Sequence, residues 1–337
     1  MLNLLQELCE LSGVSGNEHA VRRFILSHIE QCRFVDECHV DPLGNILVHV
    51  KGSHKASNTV MFAAHMDEVG VIITGVTDDG YLRFDTVGGI DTAVLFGHRV
   101  IFGDICGVIG GKAIHMCRGD EKKNIPEKGL LIDIGVSSRE AALELVNIGD
   151  VGVFDSEFRK VGQLVKGRAI DDRAGCAVLL KLLKSQPAYD FWLAFTVQEE
   201  VGLRGAKTAA FTIDPDIAVV VDATTAADTV GVSPDKQVCR VHSGAVVSFM
   251  DRRTLYDKAL YDLIMETANE NGLRAQPKSM VAGGNDAGAI QTSKNGVRVA
   301  AISVPCRYIH SPSCVAAIED VEHIALLLEA LIERLCV

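Results

Sequence analysis

The stretch Phe191-Trp-Leu-Ala-Phe-Thr-Val-Gln-Glu-Glu-Val-Gly-Leu-Arg-Gly205 decides the fold. Its first seven residues, Phe191 to Val197, are apolar or β-branched, which is the composition of a strand covered on both faces in a parallel sheet. Gln198, Glu199 and Glu200 then arrive together, and Gly202 and Gly205 punctuate a turn. Adjacent carboxylates at the end of a buried strand repel each other and are costly to desolvate without a positive partner. In an open α/β sheet that end of the strand is also where ligands bind. The plain alternative is a strand that simply stops, with both glutamates in water.

The alternative weakens because the arrangement recurs. Val60-Met-Phe-Ala-Ala64 ends in His65-Met-Asp-Glu68, and Ile217-Ala-Val-Val-Val221 ends in Asp222. Val299-Ala-Ala-Ile-Ser-Val304 leads through Pro305 into Arg307-Tyr-Ile-His310. Ala169-Ile-Asp-Asp-Arg173 stands just before a helical pattern of Val178, Leu179, Leu182 and Leu183. Together these ends offer His65, Asp171, Glu199, Glu200, Asp222 and His310, a nitrogen and oxygen donor set without thiolate. Such a set suits a pair of divalent ions better than a structural zinc site, which draws on Cys. The reading is a two-metal hydrolase centre.

Five motifs carry a family resemblance: His65-Met-Asp-Glu-Val-Gly70, Ala169-Ile-Asp-Asp-Arg173, Gln198-Glu-Glu-Val-Gly-Leu-Arg-Gly-Ala206, Gly283-Gly-Asn-Asp-Ala-Gly288 and Arg307-Tyr-Ile-His-Ser-Pro312. In this order they resemble the M42 metallo-aminopeptidases, the tetrahedral (TET) and glutamyl-aminopeptidase-like proteins, some of which carry an old endoglucanase label. The resemblance runs from Leu4 to the last helix; Asn285 departs from it, standing where Thr is expected. It implies two divalent ions per subunit, zinc or cobalt first and manganese as an alternative. It also implies roles. Asp171 bridges the ions, His65 and Asp222 complete one, and Glu200 and His310 complete the other. Glu199, left uncoordinated, serves as general base, and Asp67 fixes the His65 tautomer. Independently of the family, adjacent residues of an extended chain point opposite ways, so Glu199 and Glu200 should not share a role.

At 337 residues, 48% hydrophobic and 23% charged, the chain can bury a sizeable core. A formal net charge of −11 argues against nucleic acid and anionic membrane surfaces as partners. Met1 to Leu11 reads as an amphipathic helix rather than a signal peptide, and no apolar run approaches membrane-spanning length, so a cytoplasmic location is expected. None of the ten cysteines forms a C-x-x-C pair, and several sit in apolar patterns as inert buried thiols. Cys306 and Cys314 flank the His310 loop, where oxidation would disturb the site.

The expected fold class is α/β: a mixed-sheet metallopeptidase domain with helices on both faces, plus an inserted β-barrel or sandwich. From Gly70 to Gly162 short β-branched runs alternate with turn signals such as Asp78-Asp-Gly80 and Val87-Gly-Gly89, broken by one helix at 138–147. The catalytic domain is therefore assigned to 1–69 and 163–337, and the insertion to 70–162. By resemblance the insertion mediates assembly of a large homo-oligomer, a dodecamer built from dimers. Within the insertion, His98, His115 and Cys117 read as half-buried strand positions rather than ligands. Later in the chain, strands are expected at 230–232 and 246–250 and a helix at 255–271, with Asp286 capping the next helix. Arg173 and Arg204 are expected to brace neighbouring acidic groups. The function this implies is release of N-terminal residues from short peptides with a free N-terminus. A metal-dependent deacylase or carboxypeptidase-like hydrolase is the nearest alternative, and a glycosidase the more distant one.

Overall fold

The computed structural model describes residues 1–116 and 129–336. Helices α1 (Leu2–Glu10) and α2 (His19–Ile29) lead into β1 (Val35–Val40), β2 (Ile46–Val50) and β3 (Val60–His65). The chain then builds a separate layer from β4 (Gly70–Val76), β5 (Leu82–Val87), α3 (Thr92–Leu95), β6 (Arg99–Phe102), β7 (Ile105–Gly110), β8 (Leu131–Asp133), α4 (Arg139–Leu143) and β9 (Val151–Phe154). It returns through β10 (Arg159–Val161), β11 (Leu164–Gly167), α5 (Ile170–Leu182), β12 (Phe191–Thr196), α6 (Arg204–Ile213) and β13 (Ile217–Thr225). It closes with β14 (Ala245–Val247), α7 (Lys258–Glu270), β15 (Ala275–Pro277), α8 (Ala287–Ile290), β16 (Arg298–Arg307), β17 (Cys314–Ala317) and α9 (Ile318–Leu335).

The large sheet runs β1-β2-β12-β3-β13-β16-β17-β11-β10, with β14 and β15 attached beside β16. Its centre, β12, β3, β13 and β16, is parallel, and β2 joins β12 antiparallel, so the sheet is mixed as expected. Period-two alternation divides the central strands between two apolar layers. On one face Phe62, Phe191, Leu193, Phe195, Val219, Val221 and Ile302 pack with α1, α5 and α9. On the other, Met61, Ala63, Ala194, Ala218 and Ala301 meet the alanines of α6. Small residues on that second face let a helix lie close to the sheet. Gly205 shows how close: a Cβ there would meet Val197 O at 2.4 Å.

Strands β4-β5-β8-β7-β6-β9 close into an antiparallel barrel around its own core of Val71, Ile73, Leu82, Val100, Ile109 and Ile132. Closure leaves this barrel without free sheet edges. The range 70–162 drawn from the sequence includes β10, which pairs with β11 in the large sheet and not in the barrel. His115 is exposed in a short 3-10 turn, not a strand, and Cys117 lies outside the described residues.

Three local expectations change. No strand forms at 230–232; Val230 is fully exposed in a turn beside Gly231 at φ +89°. The helix expected at 138–147 is only Arg139–Leu143, capped by the Ser138 hydroxyl. Helix α7 begins at Lys258, because the Asp257 carboxylate accepts the Leu260 amide and fixes the start there. Among the described residues, no helix is long and apolar enough to cross a membrane.

Candidate metal centre

Strand register brings the donors together. His65 ends β3 directly opposite Thr196 of β12, and the β12 chain continues into Glu199 and Glu200. Asp222 lies in β13 opposite Ser303 of β16, whose continuation carries His310. Asp171 arrives from the other side, at the entry to α5. His65, Asp171, Glu199, Glu200, Asp222 and His310 line one cavity at the carboxyl ends of the parallel strands. Asp67 lies fully buried beside it.

Two donor groups share one residue. His65, Asp171 and Asp222 present ligand atoms within 4.8 Å of one another, and so do Asp171, Glu200 and His310. His65 Nε2 stands 3.3 Å from Asp171 Oδ1 and 3.7 Å from Asp222 Oδ1. His310 Nε2 stands 3.6 Å from Asp171 Oδ2 and 3.3 Å from Glu200 Oε2. A third group joins His65, Glu199 and Glu200. Glu199 and Glu200 therefore both face the cavity, against the expectation of opposite directions. The extended backbone ends at β12, and Gln198 turns the chain at φ +56° before the pair.

That left-handed backbone is not isolated. Ala169, Tyr308 and His310 also have φ between 56° and 59°, each at or beside a candidate ligand. Non-glycine residues held there cost about 1 kcal/mol or more each and persist only where the surroundings impose them.

The electrostatics are those of a crowded anionic cavity. Burial opposes charge on His65, but Asp171, Asp222 and Asp67 hold its imidazolium well above the usual range. His310 is likewise pushed up to about 12, against burial, by Asp171 and Glu200. Burial raises Glu199 well above the ordinary glutamate range, and Asp286, Asp222 and Glu200 push it further. Asp171, though buried, is held low by His310 and His65. Its buried Oδ1 makes no hydrogen bond of normal geometry and meets His65 Nε2 at 3.3 Å.

The supporting contacts refine the expected roles. His65 Nδ1 is 3.0 Å from the Asp67 backbone carbonyl and 3.5 Å from its Oδ1. The Asp67 carboxylate instead accepts the amides of Glu199 at 3.0 Å and Glu200 at 3.2 Å and the Ser15 hydroxyl at 2.5 Å. The carboxylate thus stands between His65 and the amides of the glutamate loop. On the other side, His310 Nδ1 is 2.6 Å from the carbonyl of Gly89, in the loop after β5.

Asp286 does not cap α8: the Asn285 side chain accepts the Ala287 amide, while Asp286 Oδ2 pairs with Thr196 Oγ1 at 2.5 Å. Arg173 braces Glu68 at 2.9 Å, but exposed Arg204 reaches only the Gln198 side-chain oxygen, 3.3 Å away. Sequence reasoning missed Glu68 and Arg168, which form the other half of that buried cluster with a 2.5 Å contact. It also missed Lys278, a buried lysine in the cavity wall. A signal existed for the first pair only, as a glutamate three residues beyond a strand end.

Comparison with known proteins follows the same geometry. A family model described as M42 glutamyl aminopeptidase matches residues 44–327. A putative aminopeptidase of Acetivibrio thermocellus is 41% identical, covering 98% of each chain. A lysyl aminopeptidase of Pyrococcus furiosus is 32% identical, covering 98% of this chain and 96% of its own. The TET1 peptidase of Pyrococcus horikoshii, which can assemble into a tetrahedron or a large octahedral shell, is 35% identical over 98% of both chains with a TM-score of 0.86. A match of that span, over a fold that agrees along nearly its whole length, makes this chain a peptidase of the M42 family.

Proposed function

We propose that the chain is a dinuclear metal-dependent aminopeptidase that removes N-terminal residues one at a time from short peptides. The observation that carries this reading is the pair of donor groups sharing Asp171. The donor chemistry fits: imidazole and carboxylate without thiolate suit zinc or cobalt, and manganese as an alternative. Asp171 Oδ1, buried without a hydrogen bond of normal geometry, fits a ligand atom better than a structural carboxylate. Asp171 would bridge, with His65 and Asp222 holding one ion and Glu200 and His310 the other. When bound, the ions polarise the scissile carbonyl and acidify the attacking water.

The chain's own residues supply the rest. Glu199 takes the proton of the attacking water and returns it to the leaving amine, a task suited to a carboxyl whose affinity for protons is raised by burial. Asp67 holds the Glu199 and Glu200 amides and so fixes where both carboxylates stand. The anionic wall attracts the free α-ammonium of a peptide and repels a carboxylate there. The TET relative's shells support an analogous large homo-oligomer, a dodecamer built from dimers, assembled through the barrel.

The test is a set of short peptides followed by mass spectrometry, with and without prolonged chelation. Sequential shortening from a free N-terminus, no reaction when that end is acetylated, loss on chelation and recovery with Zn²⁺ or Co²⁺ are expected. C-terminal trimming, internal cleavage, turnover of acetylated peptides or of carboxymethyl cellulose, or full activity without metal would overturn the reading. Light scattering that reports a monomer at micromolar concentration would remove the assembly.

A further inference from the structure

Two thiols stand at the base of the His310 loop, and the mechanism uses neither. Cys306 lies near the end of β16 and Cys314 opens β17; both are buried, and both are free. The antiparallel register pairs Cys306 with Ala316 and Arg307 with Val315. Cys314, two residues before Ala316, is therefore the diagonal neighbour of Cys306 on the same face of the ladder. The Cys306 thiol is pushed well above the ordinary thiol range, first by the hydrogen bond it shares with Cys314 and then by burial. The two sulfur atoms thus meet across the neck of residues 307–313, the segment that carries His310.

Buried cysteines ordinarily act as small apolar side chains. Cys176 and Cys336 fit that use, their thiols turned to the carbonyls of His65 and Asp190. Cys306 and Cys314 are placed differently. Cys314 Sγ lies 3.5 Å from Tyr308 O and 3.6 Å from Ser311 O, so it touches the loop on both sides of His310. It also borders a small cavity that Asp171, Glu200 and His310 line, which puts it within reach of a small solute from the candidate ion site.

We propose that Cys306 and Cys314 form a reversible disulfide that withdraws His310 from the candidate centre and releases the ion it would hold. The oxidant is a peroxide. The Cys314 sulfur attacks one peroxide oxygen, the O–O bond breaks, and the departing hydroxide takes the thiol proton and leaves as water. The Cys306 sulfur then attacks the resulting sulfenic sulfur, the S–O bond breaks, and hydroxide leaves with the Cys306 proton as a second water. Two thiols have then given two electrons and two protons to one peroxide. Diagonal strand neighbours stand about 7–8 Å apart at Cα, whereas a disulfide sits best at about 5.5–6 Å. Closing the bond therefore draws the neck together and moves the loop, whose Tyr308 and His310 already hold left-handed backbone. The ion part of the proposal rests on the dinuclear reading above.

The experiment uses the full chain, reduced and loaded with Zn²⁺, then treated with hydrogen peroxide. Trypsin cuts after Arg307 and so puts the two cysteines on separate peptides. Mass mapping without reduction reads the bond, elemental analysis reads the ions, and release of residues from a short peptide reads activity. The two peptides should be found joined, and the affinity for one ion should fall by about 10- to 100-fold, the scale for disturbing a ligand's support. Dithiothreitol should undo both changes. Cys314→Ala should keep its ions and its turnover under the same peroxide, although the exposed Cys38 and Cys106 remain in it.

Unlinked peptides from the oxidised wild type, or a bond from Cys314 to the nearby Cys9, would overturn the proposal and leave the dinuclear reading intact. So would a Cys306–Cys314 bond formed with ion affinity unchanged, or an equal loss of ions from Cys314→Ala under peroxide. Reduced protein that binds no ions at all would overturn the dinuclear reading and this proposal together. The wild-type map and ion content decide the matter even if the variant does not fold.

Discussion

His65 and His310 face the same carboxylate from two different kinds of structure. His65 terminates a fully buried strand, and its side chain is 4% exposed. His310 stands in a loop beyond β16 at φ +57°, its side chain 32% exposed, and its other nitrogen is held by a carbonyl from the barrel loop. Beneath the His65 half, Glu68 is gripped by Arg168 and Arg173, and Arg173 also donates to the Met66, Leu8 and Leu11 carbonyls. The His310 loop is held differently, by Gly89 O at Nδ1, by the Ser156 hydroxyl on Pro312 O and by the half-buried Arg307–Asp228 ion pair at its start. One half of the centre is therefore built on the sheet's packing and the other on a more exposed loop tied down by scattered contacts, so ion retention should be unequal.

The comparison can be broken most severely at the residue both halves share. Asp171→Asn should lose both ions and lower kcat/KM by about 10³-fold or more, the scale of the charge stabilisation that ions supply. Elemental analysis that still finds two ions in this variant would end the shared-ligand account. Glu199→Gln should separate proton transfer from ion holding. Both ions should stay bound while kcat falls by about 10²-fold or more; an ion lost there, with Glu200→Gln retaining two, would mean the glutamate roles are reversed.

Graded effects sharpen the contrast between halves. Glu68→Ala should destabilise the fold by about 3–5 kcal/mol, because it strands two buried guanidinium groups. Urea unfolding with an unshifted midpoint would show that the His65 half is not braced as described. His310→Ala should leave about one ion per subunit, and in the wild type a chelator should withdraw one ion well before the other. Simultaneous loss of both would refute the asymmetry. The smallest effect belongs to Gly88→Ala. A Cβ there would meet Val69 Cγ1 at 2.7 Å and Glu200 Cβ at 3.2 Å, on a backbone at φ +83°. Displacing that loop should weaken the His310-side ion by about 10-fold, read by competition with a chromogenic chelator.

What the sequence could disclose divides along the same line. Phe191–Thr196, Val60–His65 and Ile217–Asp222 announced buried strands that stop at donors, because burial on both faces writes a continuous apolar run and a polar terminus stands out. The barrel's turns were equally plain. Contacts between segments distant in sequence were not. Glu68 with Arg168, Asp67 with the Glu199 amide, and His310 with Gly89 O join residues 100, 132 and 221 positions apart. Alternation failed at Glu199 and Glu200 because a left-handed Gln198 interrupts the extended backbone, and no periodicity reports a single dihedral. At Val230 a short β-branched pair beside a glycine imitated a strand that has no sheet to join.

The Gly89 carbonyl has one further consequence. It belongs to the loop that connects barrel strand β5 to α3, yet it grips a residue of the ion cavity. That contact ties a barrel loop to a wall of the cavity. On the proposed dinuclear reading, a partner that docked on the barrel and shifted that loop would change ion affinity by some factor, and ion loading would change the docking affinity by the same factor. Loss of metal would then be registered on the barrel, and association there would feed back on how firmly the His310-side ion is kept.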